Sequence, residues 1–180
     1  MPATAQTAFS PDGATLAAAA ADDTVRLWDV PSGRNTATLA GATEQDGSLA
    51  FSPDGRILST SGRDHTVRLW DLPGARNRAT LTGHTHLVGR LAFSPDGANL
   101  ASAEVSSGDF KSNYAPTVRL WQVRTGRAIT VLAVSGTDPA KTRCWPDVMI
   151  DTDVAFSPDG QTLAATCGRA VRLWNPPTGR

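Results

Sequence analysis

Ala50-Phe51-Ser52-Pro53-Asp54-Gly55, followed eleven residues on by Thr66-Val67-Arg68-Leu69-Trp70-Asp71, is the stretch that decides the fold. Pro53 pre-sets φ at the second position of a tight turn, and Gly55 accepts the positive φ that closes it. Ser48 to Phe51 therefore forms a strand, and a second strand starts at Ile57-Leu58 beyond the turn. Gly62-Arg63-Asp64 is a polar turn. The run from Thr66 to Trp70 alternates β-branched and aromatic residues with polar ones, the pattern of a third strand. Pro73-Gly74 turns the chain again, and Arg76 to Leu81 supply a fourth strand.

The same plan recurs along the chain. AFSPDG occurs four times, with its Phe at Phe9, Phe51, Phe93 and Phe156, and VRLW occurs four times, ending at Trp28, Trp70, Trp121 and Trp174. The spacing is 42 residues from Phe9 to Phe51 and from Trp28 to Trp70, and it lengthens to 51 and 53 between the later Trp residues, so two copies carry insertions. Arg34 to Leu39 and Arg127 to Leu132 repeat the fourth strand. Four short antiparallel strands in about 42 residues make one blade of a β-propeller.

These residues carry a resemblance. Trp28-Asp29 and Trp70-Asp71, with Gly83-His84 nine residues before Phe93, make the chain resemble the WD-repeat (tryptophan-aspartate repeat) family in its bacterial type over essentially its whole length. The third and fourth copies depart from the dipeptide as Trp121-Gln122 and Trp174-Asn175. The expected fold is all-β: WD-type blades of four antiparallel strands, three complete and a fourth lacking its outer strand, 15 strands in all. Blades are expected at about 3–41, 42–83, 84–135 and 148–180 of a single region spanning 1–180. Seven blades would need close to 300 residues. Either the region is part of a larger propeller, which is preferred because repeat arrays need caps, or two chains complete each other. An unpaired edge and an open blade face would let chains associate.

The resemblance also implies structural roles. The family pins each blade with an interblade His, a Ser or Thr on the second strand, an Asp in the following turn and the Trp. Blade two offers Thr60, Asp64 and Trp70 but has Ala42 in place of the His. Blade three has His84 and Trp121 with Ala115 at the Asp position, and blade one has Asp22 and Trp28 with Ala18 in place of the hydroxyl. No blade is expected to hold the full set, so packing between blades must carry most of the stability, a net hydrogen bond being worth only about 0.5–1.5 kcal/mol.

Composition narrows the function classes. Lys plus Arg and Asp plus Glu are 17 each, which leaves no basic field for nucleic acid or an anionic membrane. The longest apolar run, Leu16 to Ala21, falls far short of the roughly 20 residues a membrane helix needs. Met1-Pro2-Ala3-Thr4 does not read as a signal peptide, and a cytoplasmic protein is expected. His84-Thr85-His86 and His65 lack metal-ligand spacing, and no phosphate loop or nucleophile motif occurs. No catalytic, metal or cofactor site is expected. The residues facing the propeller axis, Ala8, Ala50, Ala92 and Ala155, can do no acid–base chemistry. An enzyme or ligand-binding module with a site at that axis is the alternative.

Function is expected in the insertions. Glu104 to Pro116 is about nine residues longer than its counterparts and Val134 to Ile150 about twelve. Both fall on the same face of the blades, where long loops cost little and binding residues accumulate. They hold the chain's only lysines, Lys111 and Lys141, and its only tyrosine. Phe110, Lys111, Tyr114, Arg143 and Trp145 are the expected contacts with a protein partner, Trp, Tyr and Arg being the usual anchors of interfaces. Cys144 and Cys167 flank the place where the family's His and Asp meet in blade four; they are two independent small apolar side chains or a disulfide. In resembling bacterial proteins such propellers often follow a signalling domain, which implies a sensing or docking arm.

Overall fold

The computed structural model describes residues 6–20, 22–40, 47–62, 64–105, 116–134, 152–167 and 170–176. Fifteen strands and no helix occur among them. The first sheet holds β1 (Thr7–Phe9), β2 (Thr15–Ala19), β3 (Thr24–Asp29) and β4 (Arg34–Ala40). The second holds β5 (Leu49–Phe51), β6 (Ile57–Ser61), β7 (Val67–Asp71) and β8 (Arg76–Leu81). The third holds β9 (Val88–Phe93), β10 (Asn99–Glu104), β11 (Thr117–Gln122) and β12 (Arg127–Ala133). The fourth holds β13 (Val154–Phe156), β14 (Leu163–Cys167) and β15 (Ala170–Trp174). Every pairing is antiparallel between sequence neighbours. Each sheet is thus an up-and-down meander, three of four strands and one of three.

The AFSPDG turns work by more than Pro and Gly. In each, the Ser hydroxyl donates to the Asp carboxylate two residues on (2.5–2.6 Å) and accepts the backbone N–H five residues on (2.9 Å). The Asp in turn accepts the N–H two residues beyond it. Gly55 at φ 70° completes the turn, and its three counterparts adopt the same angle within a few degrees. The Ser hydroxyl is the foremost cause holding Asp12, Asp54, Asp96 and Asp159 below the usual carboxylate range.

The sheets pack face to face in chain order, with β1 against β5, β5 against β9 and β9 against β13. Strand alternation gives each blade two different faces. On one, Val25, Leu27 and Leu39 of the first blade are buried against Leu49, Leu58 and Trp70 of the second. Val67, Leu69 and Leu81 meet Val88, Leu91, Leu100 and Trp121 in the same way. Val118, Leu120 and Val134 meet Val154 and Leu163, with Trp174 partly buried beside them. The hydrophobic core is therefore a series of interblade layers, each joining the Val/Leu face of one blade to the Leu/Trp face of the next.

Candidate functional site

The feet of the two insertions stand together. The backbone N–H of Val134, where the second insertion leaves β12, donates to the carbonyl of Pro116, where the first insertion returns to β11 (3.3 Å). Val105, at the other foot of the first insertion, donates to the carbonyl of Leu87 in the segment entering blade three (2.9 Å). Past the second insertion, Asp153 lies 3.8 Å from Arg90 of β9. All of these contacts are on the side of the blades opposite the AFSPDG turns. Phe110, Lys111, Tyr114, Arg143, Trp145 and Cys144 lie outside the described residues, as does the side chain of Cys167.

A buried polar chain braces this base. Trp121 Nε1 donates to Ser102 Oγ (2.7 Å), and Ser102 Oγ lies 2.6 Å from His84 Nε2. His84 Nδ1 is 3.2 Å from Glu104 Oε1, and both side chains are shielded from solvent. Glu104 also accepts from the backbone N–H of Thr85 (2.8 Å), and from the N–H (3.1 Å) and hydroxyl (2.7 Å) of Thr117. With Ser102 donating to Nε2, the Nδ1 proton is left facing Glu104 in a close polar contact that falls short of a hydrogen bond. Burial pushes the Glu104 carboxyl upward, but hydrogen bonding from His84, Thr117 and Thr85 outweighs it and holds the group far below its ordinary range.

Blade three thus gathers His84, Ser102 and Trp121 with a carboxylate beside them, while the family's Asp is missing from it. The expected Asp position, Ala115, falls outside the described residues, and the carboxylate comes instead from Glu104 at the end of β10. Two residues were missed. Ser102 stands nine residues after Phe93, as Thr60 does after Phe51, so counting from the Phe locates it. Glu104 was assigned to the insertion; its signal is strand alternation, which puts it on the same face as Ser102.

The other pins are partial. In blade two Trp70 Nε1 donates to Thr60 Oγ1 (3.0 Å). Asp64 does not join them: it accepts from Thr66 (2.8 Å) and pairs with Arg68 (2.6 Å) across its hairpin. Asp22 does the same with Thr24 (2.6 Å) and Arg26 (2.8 Å) in blade one. There Ala18 offers Trp28 no acceptor, and Trp28 is only half-buried. Arg119 of blade three is the counterpart of Arg26 and Arg68. Its guanidinium lies over Gly83, close enough that a Cβ there would sit 2.9 Å from Nη1.

The family model described as WD domain, G-beta repeat matches residues 5–29, 35–71, 75–122 and 147–175. The second and third matches each run from the outermost strand of one blade to the third strand of the next. In these two matches the sequence repeat is thus staggered by one strand against the structural blade, and each of the two laces a pair of blades together. No curated protein matches the chain.

Proposed function

The chain belongs to the WD-repeat family, and on that premise we propose that it is a non-catalytic protein-interaction scaffold that takes its partner on the rim formed by its two insertions. The observation that carries this is the Val134–Pro116 hydrogen bond, which sets the roots of both insertions side by side. A binding surface works best on a base that does not move, and the Glu104 clamp supplies one. Glu104 ties the two feet of the first insertion to each other through Thr117 and to the segment before β9 through Thr85. Phe110, Tyr114, Arg143 and Trp145 supply aromatic and guanidinium anchors there, with Lys111 beside them. Family members generally mediate protein–protein interaction, and the inner strands offer Ala8, Ala50, Ala92 and Ala155 rather than acid–base groups. We propose further that it serves as the sensing or docking arm of a larger signalling protein.

The test compares partner capture by the wild-type chain with capture by Tyr114→Ala/Trp145→Ala, followed by affinity measurement on the purified partner. Loss of either anchor is expected to weaken binding at least about 30-fold, a hot-spot side chain contributing about 2 kcal/mol or more, and loss of both to weaken it further. A folded double variant that binds the same partner with unchanged affinity refutes the rim as the binding surface.

A further inference from the structure

The arginine of the VRLW strand in blade three lacks the partner that its sisters have. Arg26 and Arg68 each pair with a carboxylate four residues earlier, Asp22 at 2.8 Å and Asp64 at 2.6 Å. Four residues before Arg119 stands Ala115, so the sequence supplies no carboxylate there. Among the described residues Arg119 makes no ion pair, and its Nε is buried with no hydrogen-bond partner. Glu104 lies diagonal to it across the β10–β11 ladder but is engaged by Thr85 and Thr117 and faces His84. The surroundings of Arg119 differ as well. Its neighbour across the β11–β12 ladder is Val131, 47% exposed, where Arg26 has Thr38 and Arg68 has Thr80. Directly opposed residues share one face of a sheet, so the cation and the valine form one patch. The guanidinium borders the exposed Thr82-Gly83 stretch, where Gly83 leaves the backbone bare beside Nη1.

We propose that Arg119 and Val131 form a docking site for an acidic segment of a partner protein. Its carboxylate takes the place on Arg119 that Asp22 and Asp64 take on Arg26 and Arg68, and an adjoining apolar side chain covers Val131. Charge complementarity carries the choice of occupant, because the fold shows twice what an arginine at this position binds. A partly buried guanidinium without a counter-ion has given up hydration with nothing to offset it. A carboxylate restores the balance through a charge-assisted fork, about twice as strong as a neutral hydrogen bond. Removing the exposed valine surface from water adds to the same contact. Arg119 stands two residues inward of Thr117, at the foot of the first insertion, so a chain crossing the base of that loop passes over it. The proposal rests on the reading of the chain as a protein-interaction scaffold, but not on the rim being its contact surface.

The probe is a bead-borne library of capped random peptides, selected on the full chain. Wild type is expected to enrich Asp or Glu beside an apolar residue, and Arg119→Gln is expected to lose that preference. The best enriched peptide and its amide counterpart, with Asn for Asp or Gln for Glu, are then titrated against both chains by fluorescence anisotropy. On wild type, loss of the carboxylate should weaken binding at least about tenfold, or about 1.4 kcal/mol. On Arg119→Gln the two peptides should bind within about twofold of each other, which a double-mutant cycle reads as coupling between the carboxylate and Arg119. Arg119→Lys keeps the charge without the fork and should fall between them; it serves for the same cycle if the Gln variant does not fold. Val131→Thr, the residue of blades one and two, should weaken both peptides alike and leave the coupling in place. A wild-type selection without acidic preference, or an acidic preference that neither Arg119 variant alters, overturns the proposal. Tyr114→Ala/Trp145→Ala should leave the Arg119 coupling intact, so failure of this site and failure of the rim are read separately.

Discussion

Replacing Glu104 with Gln alters the charge of the best-satisfied buried group among the described residues while keeping its shape. The carboxylate is 1% exposed and faces His84 Nδ1, the N–H of Thr85, and the N–H and hydroxyl of Thr117. An amide has one oxygen, enough for the Thr85 side or the Thr117 side but not both, and its NH2 then confronts a backbone N–H. Hydrogen bonds to a charged group are worth about 1.5–3 kcal/mol each, and the amide forfeits those on one side. We expect Glu104→Gln to lose about 3–5 kcal/mol of the roughly 5–15 kcal/mol available to a domain. Urea unfolding followed by Trp fluorescence measures it as a lower midpoint at constant m. The loss should depend on pH. Because the folded Glu104 carboxyl is held far below its ordinary 4.5, its contribution is fully present above that value and drains away as pH falls. The gap between wild type and variant should therefore be widest near neutrality and shrink through the acid range. A midpoint within about 0.5 kcal/mol of wild type at neutral pH, the spread of ordinary surface changes, refutes the clamp.

Three smaller perturbations follow from the same geometry. Thr60→Val keeps the packing volume but strands Trp70 Nε1, and should cost about 1–2 kcal/mol by urea unfolding. Gly89→Ala drives a Cβ into Val105 at the foot of the first insertion, and should cost about 1–3 kcal/mol. Much of that loss should return in Gly89→Ala/Val105→Ala, which a double-mutant cycle detects as non-additivity. Gly55→Ala puts a Cβ at φ 70° and should lower stability by about 1 kcal/mol in thermal unfolding, with the turn otherwise intact.

The strands and their grouping were legible because both codes that specify them are local. Ser-Pro-Asp-Gly fixes a turn within four residues, and Thr-Val-Arg-Leu-Trp alternates within five, so the 15 strands and the three-stranded last sheet follow from counting. The polar chain in blade three was not legible, because its members come from three segments and none obeys the pattern alone. Ser102 matches Thr60 in register. A Glu at the mouth of a long loop, however, reads as solvated until Thr85, Thr117 and His84 are seen to converge on it. Asp64 erred the other way: its turn position suits an interblade pin, but blade two has no His for it, and Arg68 four residues away captures the carboxylate. Where no partner crosses between blades, the nearest cation on the same hairpin wins.

The most direct test of the rim as the binding surface uses the chain's lysines, Lys111 in one insertion and Lys141 in the other. Acetylation rates of both, followed by mass spectrometry with and without the captured partner, report on the two loops at once. Partner binding is predicted to slow both reactions severalfold and together, since the loops spring from adjoining feet. Unchanged rates at both lysines under saturating partner would contradict it.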